Sequence, residues 1–358
     1  MVCFTSSIFK GVINCLDLTV LGVLFLLIQT NAHAQDESQQ LLRFEYNRPI
    51  MGTELKLILY AQNEFQATLA INAILEELEQ RAKPINNYTP NSEVSRLANL
   101  EPGKSRILSF ELGEVLRESK RWHELSDGAF DVTAGATIEL WSKARKQKLL
   151  PSKDLIVSAQ KNSGWDHLKL SSETDSQTTL TIDAKELRIN VSGIATGYLI
   201  DHAMTVLKQQ GIESALIDIG GDIIVSNPPP GSEGWKVDIA GLNQSDPIQS
   251  RIMIRDQAVT TSGDLNQFTD IDGVRYSHII NPVTGSPVPR RVSATVVAKR
   301  AIDADAAATA IAVLGSQRAK TLLINMPIDS VVILEQDFIE TEEKTSPVRK
   351  LEWARTLP

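Results

Sequence analysis

Residues 54 to 60 read Glu54-Leu55-Lys56-Leu57-Ile58-Leu59-Tyr60, an alternation that predicts a half-buried strand. Leu69, Ile71, Ile74, Leu75 and Leu78 then recur at helical spacing and predict a helix over Gln66–Ala82. Pro90, Asn91 and Ser92 mark Asn86–Leu97 as a loop entering a short helix. Phe110–Leu125 is a second amphipathic helix, stopped by Ser126-Asp127-Gly128. From about Lys143 to Thr181 the pattern is polar and irregular. Clearer signals follow: a strand over Leu187–Val191, a helix over Tyr198–Gln209 capped by Gly211, and a strand over Ala215–Val225 interrupted at Gly220-Gly221. Trp235–Ala240, Ser250–Ile254, Ser293–Ala298 and Ser330–Leu334 read as further strands, and Ala304–Leu314 as an alanine-rich helix. No repeat of 20 to 50 residues is visible. The pattern predicts one mixed α and β domain over 35–358, with 143–181 the place where two lobes would divide.

The amino terminus follows a different rule. Lys10 precedes an apolar run, Leu18–Ile28, and Ala32-His33-Ala34 follows it. That order of basic, apolar and small residues is a secretory leader with cleavage expected after Ala34. The run is short of the roughly 20 residues a membrane-spanning helix needs. Export to the periplasm follows as an expectation, with an uncleaved leader at the inner membrane as the alternative. Cys15 precedes the apolar run, which excludes it as a lipoprotein acylation site.

Charge and cysteine content narrow the chemistry. The chain of 358 residues carries a formal net charge of -8, so no global basic field supports nucleic-acid binding. Lys10 and Asp17 cancel, leaving that charge on the 324 residues that remain after 34 are removed from 358. Both cysteines, Cys3 and Cys15, lie in the leader. The mature chain therefore excludes thiol catalysis, disulfides and thiolate metal sites.

Glycine-bearing turns beside polar residues carry the candidate chemistry. Gly128–Thr133 is one; Ser192–Tyr198, leading from a strand into a helix, is another. The second would expose backbone N–H groups to a phosphate, or simply form a tight turn, since it matches neither G-x-G-x-x-G nor a P-loop. Thr261-Ser262-Gly263-Asp264 and Ser277–Gly285 complete the set. His278 lies in the last; no two histidines share an H-x-x-x-H spacing, which argues against a histidine-built zinc site. On a helix, Asp305 and Thr309 lie one turn apart on one face with three alanines between them. A carboxylate and a hydroxyl are hard ligands suited to magnesium or calcium, incomplete without backbone or phosphate oxygens. Asp305 alone would equally serve the helix dipole.

In order and spacing these pieces resemble the ApbE family of FAD:protein FMN transferases. The resemblance runs from Met51-Gly52-Thr53 to about Gly315. It passes through Tyr88–Leu97, Gly128–Thr133, Gly193–Tyr198, Gly220-Gly221-Asp222, Ser262-Gly263-Asp264, Ser277–Gly285 and Asp305–Thr309. It implies an α+β fold with largely antiparallel sheets and packed helices. It also implies magnesium-dependent transfer of FMN from FAD to a threonine hydroxyl of an acceptor protein, with release of AMP. Family acceptors are exported subunits of ion-pumping electron-transport complexes. By position, Met51, Tyr88, Ala129, Phe130, Asp131, Asn190, Thr196 and Tyr276 would contact FAD. The backbone oxygen of Gly193, with Asp305 and Thr309, would hold Mg2+. His278 is the candidate base, with Asp305 the poorer alternative when it binds metal. Hydrolysis of FAD to FMN and AMP, or FAD binding without turnover, are the competing readings. Three departures stand out: Asn190 where many relatives have aspartate, Thr196 where many have lysine, and Asn281-Pro282-Val283-Thr284-Gly285 for the common Asp-Pro-Arg-Thr-Gly.

Overall fold

Alternation over Thr53–Ala61 sends Leu55, Leu57, Leu59 and Ala61 into one core, while Ile58 points to a second core on the opposite face. This strand is one of eight in a wholly antiparallel sheet. The spatial order is Leu42–Ile50, Thr53–Ala61, Ala215–Ile219, Asp222–Val225, Gln257–Gly263, Arg290–Ala298, Ser330–Asp337 and Arg349–Ala354. The computed structural model describes residues 40–174, 177–243, 246–265, 267–338 and 346–355. The expected leader, 1–34, lies outside the described residues. Among the described residues, no helix is long and apolar enough to cross a membrane.

Three helices cover the first face: Glu64–Ile85, Ala195–Gln209 and Ala301–Leu322. The hairpin Trp235–Ile239/Ser250–Ile254 covers part of the second, where Trp235 meets Tyr60 edge-on at 6.2 Å. Burial on both faces explains why central strands carry apolar runs such as Leu57-Ile58-Leu59. The Ala301–Leu322 helix is buried almost all round, and its small side chains let neighbours approach closely. A Cβ on Gly197 would lie 2.4 Å from the Ala301 carbonyl oxygen. From the same neighbouring helix, Asp201 accepts hydrogen bonds from the N–H groups of Ala301 (2.8 Å) and Ile302 (3.0 Å). That carboxylate caps a helix whose own N-cap residue, Arg300, supplies no side-chain bond. It fixes the start of the helix that carries Asp305 and Thr309.

The irregular 143–181 stretch contains the end of a helix, Gly135–Gln147, then a short helix, Lys153–Lys161, and the hairpin Leu168–Thr174/Gln177–Ile182. Three expectations are corrected. Leu187–Val191 forms no strand among the described residues, because its polar groups bond elsewhere. The Arg188 and Ile189 carbonyls accept from Gly135 N–H and Asn87 Nδ2, and the Asn190 and Val191 N–H groups donate to Val132 O and Asn87 Oδ1. Ala215–Val225 is not one interrupted strand but a hairpin: Gly220 (φ +65°) and Gly221 (φ +99°) take the left-handed turn. The Thr261–Asp264 segment, expected as a turn, lies largely in the strand Gln257–Gly263.

Candidate active site

One cavity of about 550 Å3 gathers residues from several segments of the chain around a common space. The loop after the first long helix brings Tyr88, which is 84% exposed and stands at its edge. Asn87, beside it, grips the 189–191 backbone through two bonds, Nδ2 to Ile189 O (2.7 Å) and Val191 N–H to Oδ1 (2.8 Å). A single amide thus fastens the Tyr88 loop to the turn that carries Asn190 and Gly193.

The turn after Leu125 holds Asp127 (φ +52°) and Gly128 (φ +77°) and then delivers Ala129, Phe130 and Asp131 to the cavity. Ser126 Oγ accepts from Phe130 N–H at 2.9 Å and closes this turn. Asp131 caps the following 3-10 turn, its Oδ1 accepting from Thr133 N–H (2.8 Å) and Thr133 Oγ (2.7 Å). Burial pushes its carboxyl above the usual range, and the Thr133 bonds oppose that shift. Asn190 Oδ1 accepts from Ser192 N–H (3.0 Å) and Ser192 Oγ (2.6 Å), which shapes the glycine turn. Beyond it, a Cβ on Gly193 would sit 3.1 Å from Thr309 Oγ1, so this backbone lies directly against the threonine.

Asp305, Thr309, Ser262, Thr260 and Asp222 form the deep acidic end. Asp305 Oδ2 accepts from Gly197 N–H at 3.1 Å, and Ser262 Oγ lies 3.1 Å from Thr309 Oγ1. Burial raises the Asp305 carboxyl to about 7. Asp222 is pushed well above its ordinary value by burial and then by the Asp305 charge. The buried Thr260 hydroxyl stands beside the Asp222 carboxyl, whose rise it opposes, without closing a well-formed hydrogen bond among the described residues. Two buried carboxyls, one raised by the charge of the other, with the Thr260 hydroxyl alongside, are a donor set that a cation would satisfy. Among the described residues no three His, Cys, Asp or Glu side chains converge as a metal set. The donors present are hard oxygens of the type magnesium takes, with room for phosphate or water to complete the shell.

His278 lines the same cavity. Its Nδ1 donates to the Gln267 carbonyl at 3.0 Å, an atom that only accepts, so Nε2 is left with its lone pair. Burial, reinforced by the Arg145 charge, lowers the imidazole to about 4. At neutral pH the ring is uncharged and ready to accept a proton. The Ser277–Gly285 motif folds as a turn held by Asn281, whose Oδ1 accepts from Val283 N–H (2.9 Å) and Thr284 N–H (3.3 Å). Asparagine therefore keeps the bonds that an aspartate would make there. Asp264, in the Ser262-Gly263-Asp264 motif, is buried and pairs with Arg275 at 3.1 Å, pinning the hairpin that leads to His278.

The cavity thus brings together Tyr88, Ala129, Phe130, Asp131 and Asn190, and with them Gly193, His278, Asp305 and Thr309. Met51, Thr196 and Tyr276 do not line it. Met51 (φ +47°) borders a separate cavity with Arg48, Glu79 and Lys83. Thr196 sits half-buried in the first turn of the Ala195–Gln209 helix. Tyr276 stacks on Trp141 at 5.7 Å, behind Ile280. The pattern of residues had given no role to Asn87, Thr260, Arg145, Arg188 or Asp222. Only Asp222, in its double-glycine turn, carried a visible signal.

Comparison with known proteins agrees with this geometry. The ApbE family profile matches residues 51–332. A Vibrio cholerae protein named FAD:protein FMN transferase is 31% identical over 272 residues, spanning 75% of this chain and 79% of its own. The solved flavin transferase ApbE from Vibrio cholerae superposes with a TM-score of 0.73 at 29% identity, covering 88% of this chain and 97% of its own. The solved ApbE protein of Thermotoga maritima gives a TM-score of 0.73 at 26% identity over 82% of this chain and 94% of its own. The family profile, the sequence identity and the superposition agree, and the chain belongs to the ApbE family.

Proposed function

We propose that this protein transfers FMN from FAD to a threonine hydroxyl of an acceptor protein and releases AMP. The observation that carries the reading is the joining, in one cavity, of a neutral His278 with the Asp305–Thr309 oxygen cluster. The threonine O–H gives its proton to His278 Nε2 while its oxygen attacks the FMN phosphorus. The bond from that phosphorus to the AMP oxygen breaks, AMP departs with its own phosphate, and a phosphoester remains on the acceptor. The Gln267 carbonyl holds the imidazolium that forms by accepting from Nδ1–H.

Asp305, Thr309 and the Gly193 backbone oxygen would hold Mg2+, with Asp222 and Thr260 close by. A bound magnesium ion supplies neutralisation of phosphate charge during transfer. Tyr88 offers a ring for stacking at the cavity edge, and Phe130 an apolar wall. The leader over 1–34 supports export, so the acceptor is an exported electron-transport subunit. The test incubates purified protein with FAD, magnesium and a threonine-bearing acceptor fragment. A fluorescent band that survives denaturing electrophoresis supports transfer. Free FMN and AMP without labelled acceptor would support hydrolysis instead, and neither product would leave a binding protein.

A further inference from the structure

We infer that Arg145 is the anion-binding residue of this cavity and takes an oxygen of the FAD pyrophosphate. The inference rests on the FAD reading above and adds to it a residue that neither motif nor resemblance marks. Arg145 lies in the last turn of the Gly135–Gln147 helix, where Ile138, Ser142 and Arg145 fall on one face and all line the cavity. A basic residue near a helix C-terminus ordinarily serves the helix dipole from the solvent side. The neighbouring Lys146 is exposed and does that, whereas Arg145 is half-buried and turned inward.

Its partners decide the matter. The other cation of the lining, Arg188, is paired with Glu139 at 2.6 Å, a carboxylate it shares with Lys143 at 2.8 Å. Among the described residues, the Arg145 guanidinium makes no ion pair and no hydrogen bond. Burial lowers its pKa, and only the Tyr88 phenol acts in the other direction. Its charge acts on His278 and Tyr88 acts on it, and all three line the one cavity. A half-buried guanidinium without a carboxylate keeps all of its donors free for a ligand that enters the cavity. Its planar fork matches phosphate oxygens, and the cavity is of a size to receive a dinucleotide's phosphates between the acidic end and this cation.

The experiment measures binding of three probes to the full chain and to two variants, Arg145→Met and Arg145→Lys. The probes are FAD, riboflavin (the ring without phosphate) and inorganic pyrophosphate, each with magnesium. Arg145→Met should weaken FAD and pyrophosphate about tenfold or more, the scale of one charge-assisted contact, and leave riboflavin within about twofold. Arg145→Lys should recover part of the loss, since a point charge replaces a fork. In turnover, KM for FAD should rise more than kcat falls. Equal weakening of riboflavin and FAD, or unchanged FAD binding in Arg145→Met, overturns the assignment. Wild-type protein that ignores FAD yet binds pyrophosphate through Arg145 would refute the FAD reading, and with it the FAD pyrophosphate as the anion, while upholding Arg145 as the anion-binding residue.

Discussion

His278 illustrates how much one backbone carbonyl decides. With Nδ1 committed to Gln267, the only free nitrogen is Nε2, and a lowered pKa keeps it unprotonated. His278→Gln should therefore reduce the transfer rate by about 10²–10⁴, the usual worth of a positioned base, while FAD affinity measured by flavin fluorescence stays near wild type. The pH profile has a defined sign. With magnesium saturating, so that Asp305 stays ionised throughout, the neutral ring is the working form, and activity persists as pH falls past 6.5 and is lost only near 4. An acid limb centred at 6.5 in single-turnover rates would contradict the assigned environment. Asn87→Ala removes two bonds to buried backbone and should cost about 1–3 kcal/mol in chemical denaturation. At this scale the sequence was partly legible. Asp305 and Thr309 stood out because helical spacing puts them on one face. Asn87 did not, since its partners lie about a hundred residues away and no local pattern encodes them.

Among elements, the helices and the central strands followed their hydrophobic periods closely; Phe110–Leu125 has the predicted ends. The misses have physical causes. Leu187–Val191 has a strand's composition, but side-chain and loop partners took its hydrogen bonds before any strand could. Gly135–Gln147 and Lys153–Lys161 escaped notice because they are short and bury only narrow faces; the second has no fully buried residue. Close helix crossing makes a separate prediction. Gly197→Ala gains up to about 1 kcal/mol of helix propensity. It also drives a Cβ to 2.4 Å from the Ala301 carbonyl oxygen, and overpacking of this kind costs about 1–3 kcal/mol or more. The clash wins, so the variant should melt at a lower temperature than wild type. It should also weaken the site, because Gly197 N–H holds Asp305.

For the whole molecule, acidity and the buried carboxylates bear on the same question. Asp305 titrates at about 7 instead of 3.8, and Asp222 is raised beside it. A raised acid contributes stability that is full below about pH 4 and lost as pH climbs through about 7. Metal-free protein should thus lose melting temperature between pH 5 and pH 8 through this pair. Magnesium should restore more at pH 8 than at pH 5, as scanning fluorimetry would read; an equal shift at both would contradict a metal seated there. The same acidity that argued against nucleic acid in the bare sequence now sits, in part, at the place where a phosphate-bearing substrate must enter. The central claim is transfer, and it is tested most directly by counting products. Wild-type protein, FAD, magnesium and a threonine-bearing acceptor should yield AMP and covalently flavinylated acceptor mole for mole, with neither formed by Asp305→Ala. AMP released in excess of labelled acceptor, or equal product from Asp305→Ala, would contradict the account.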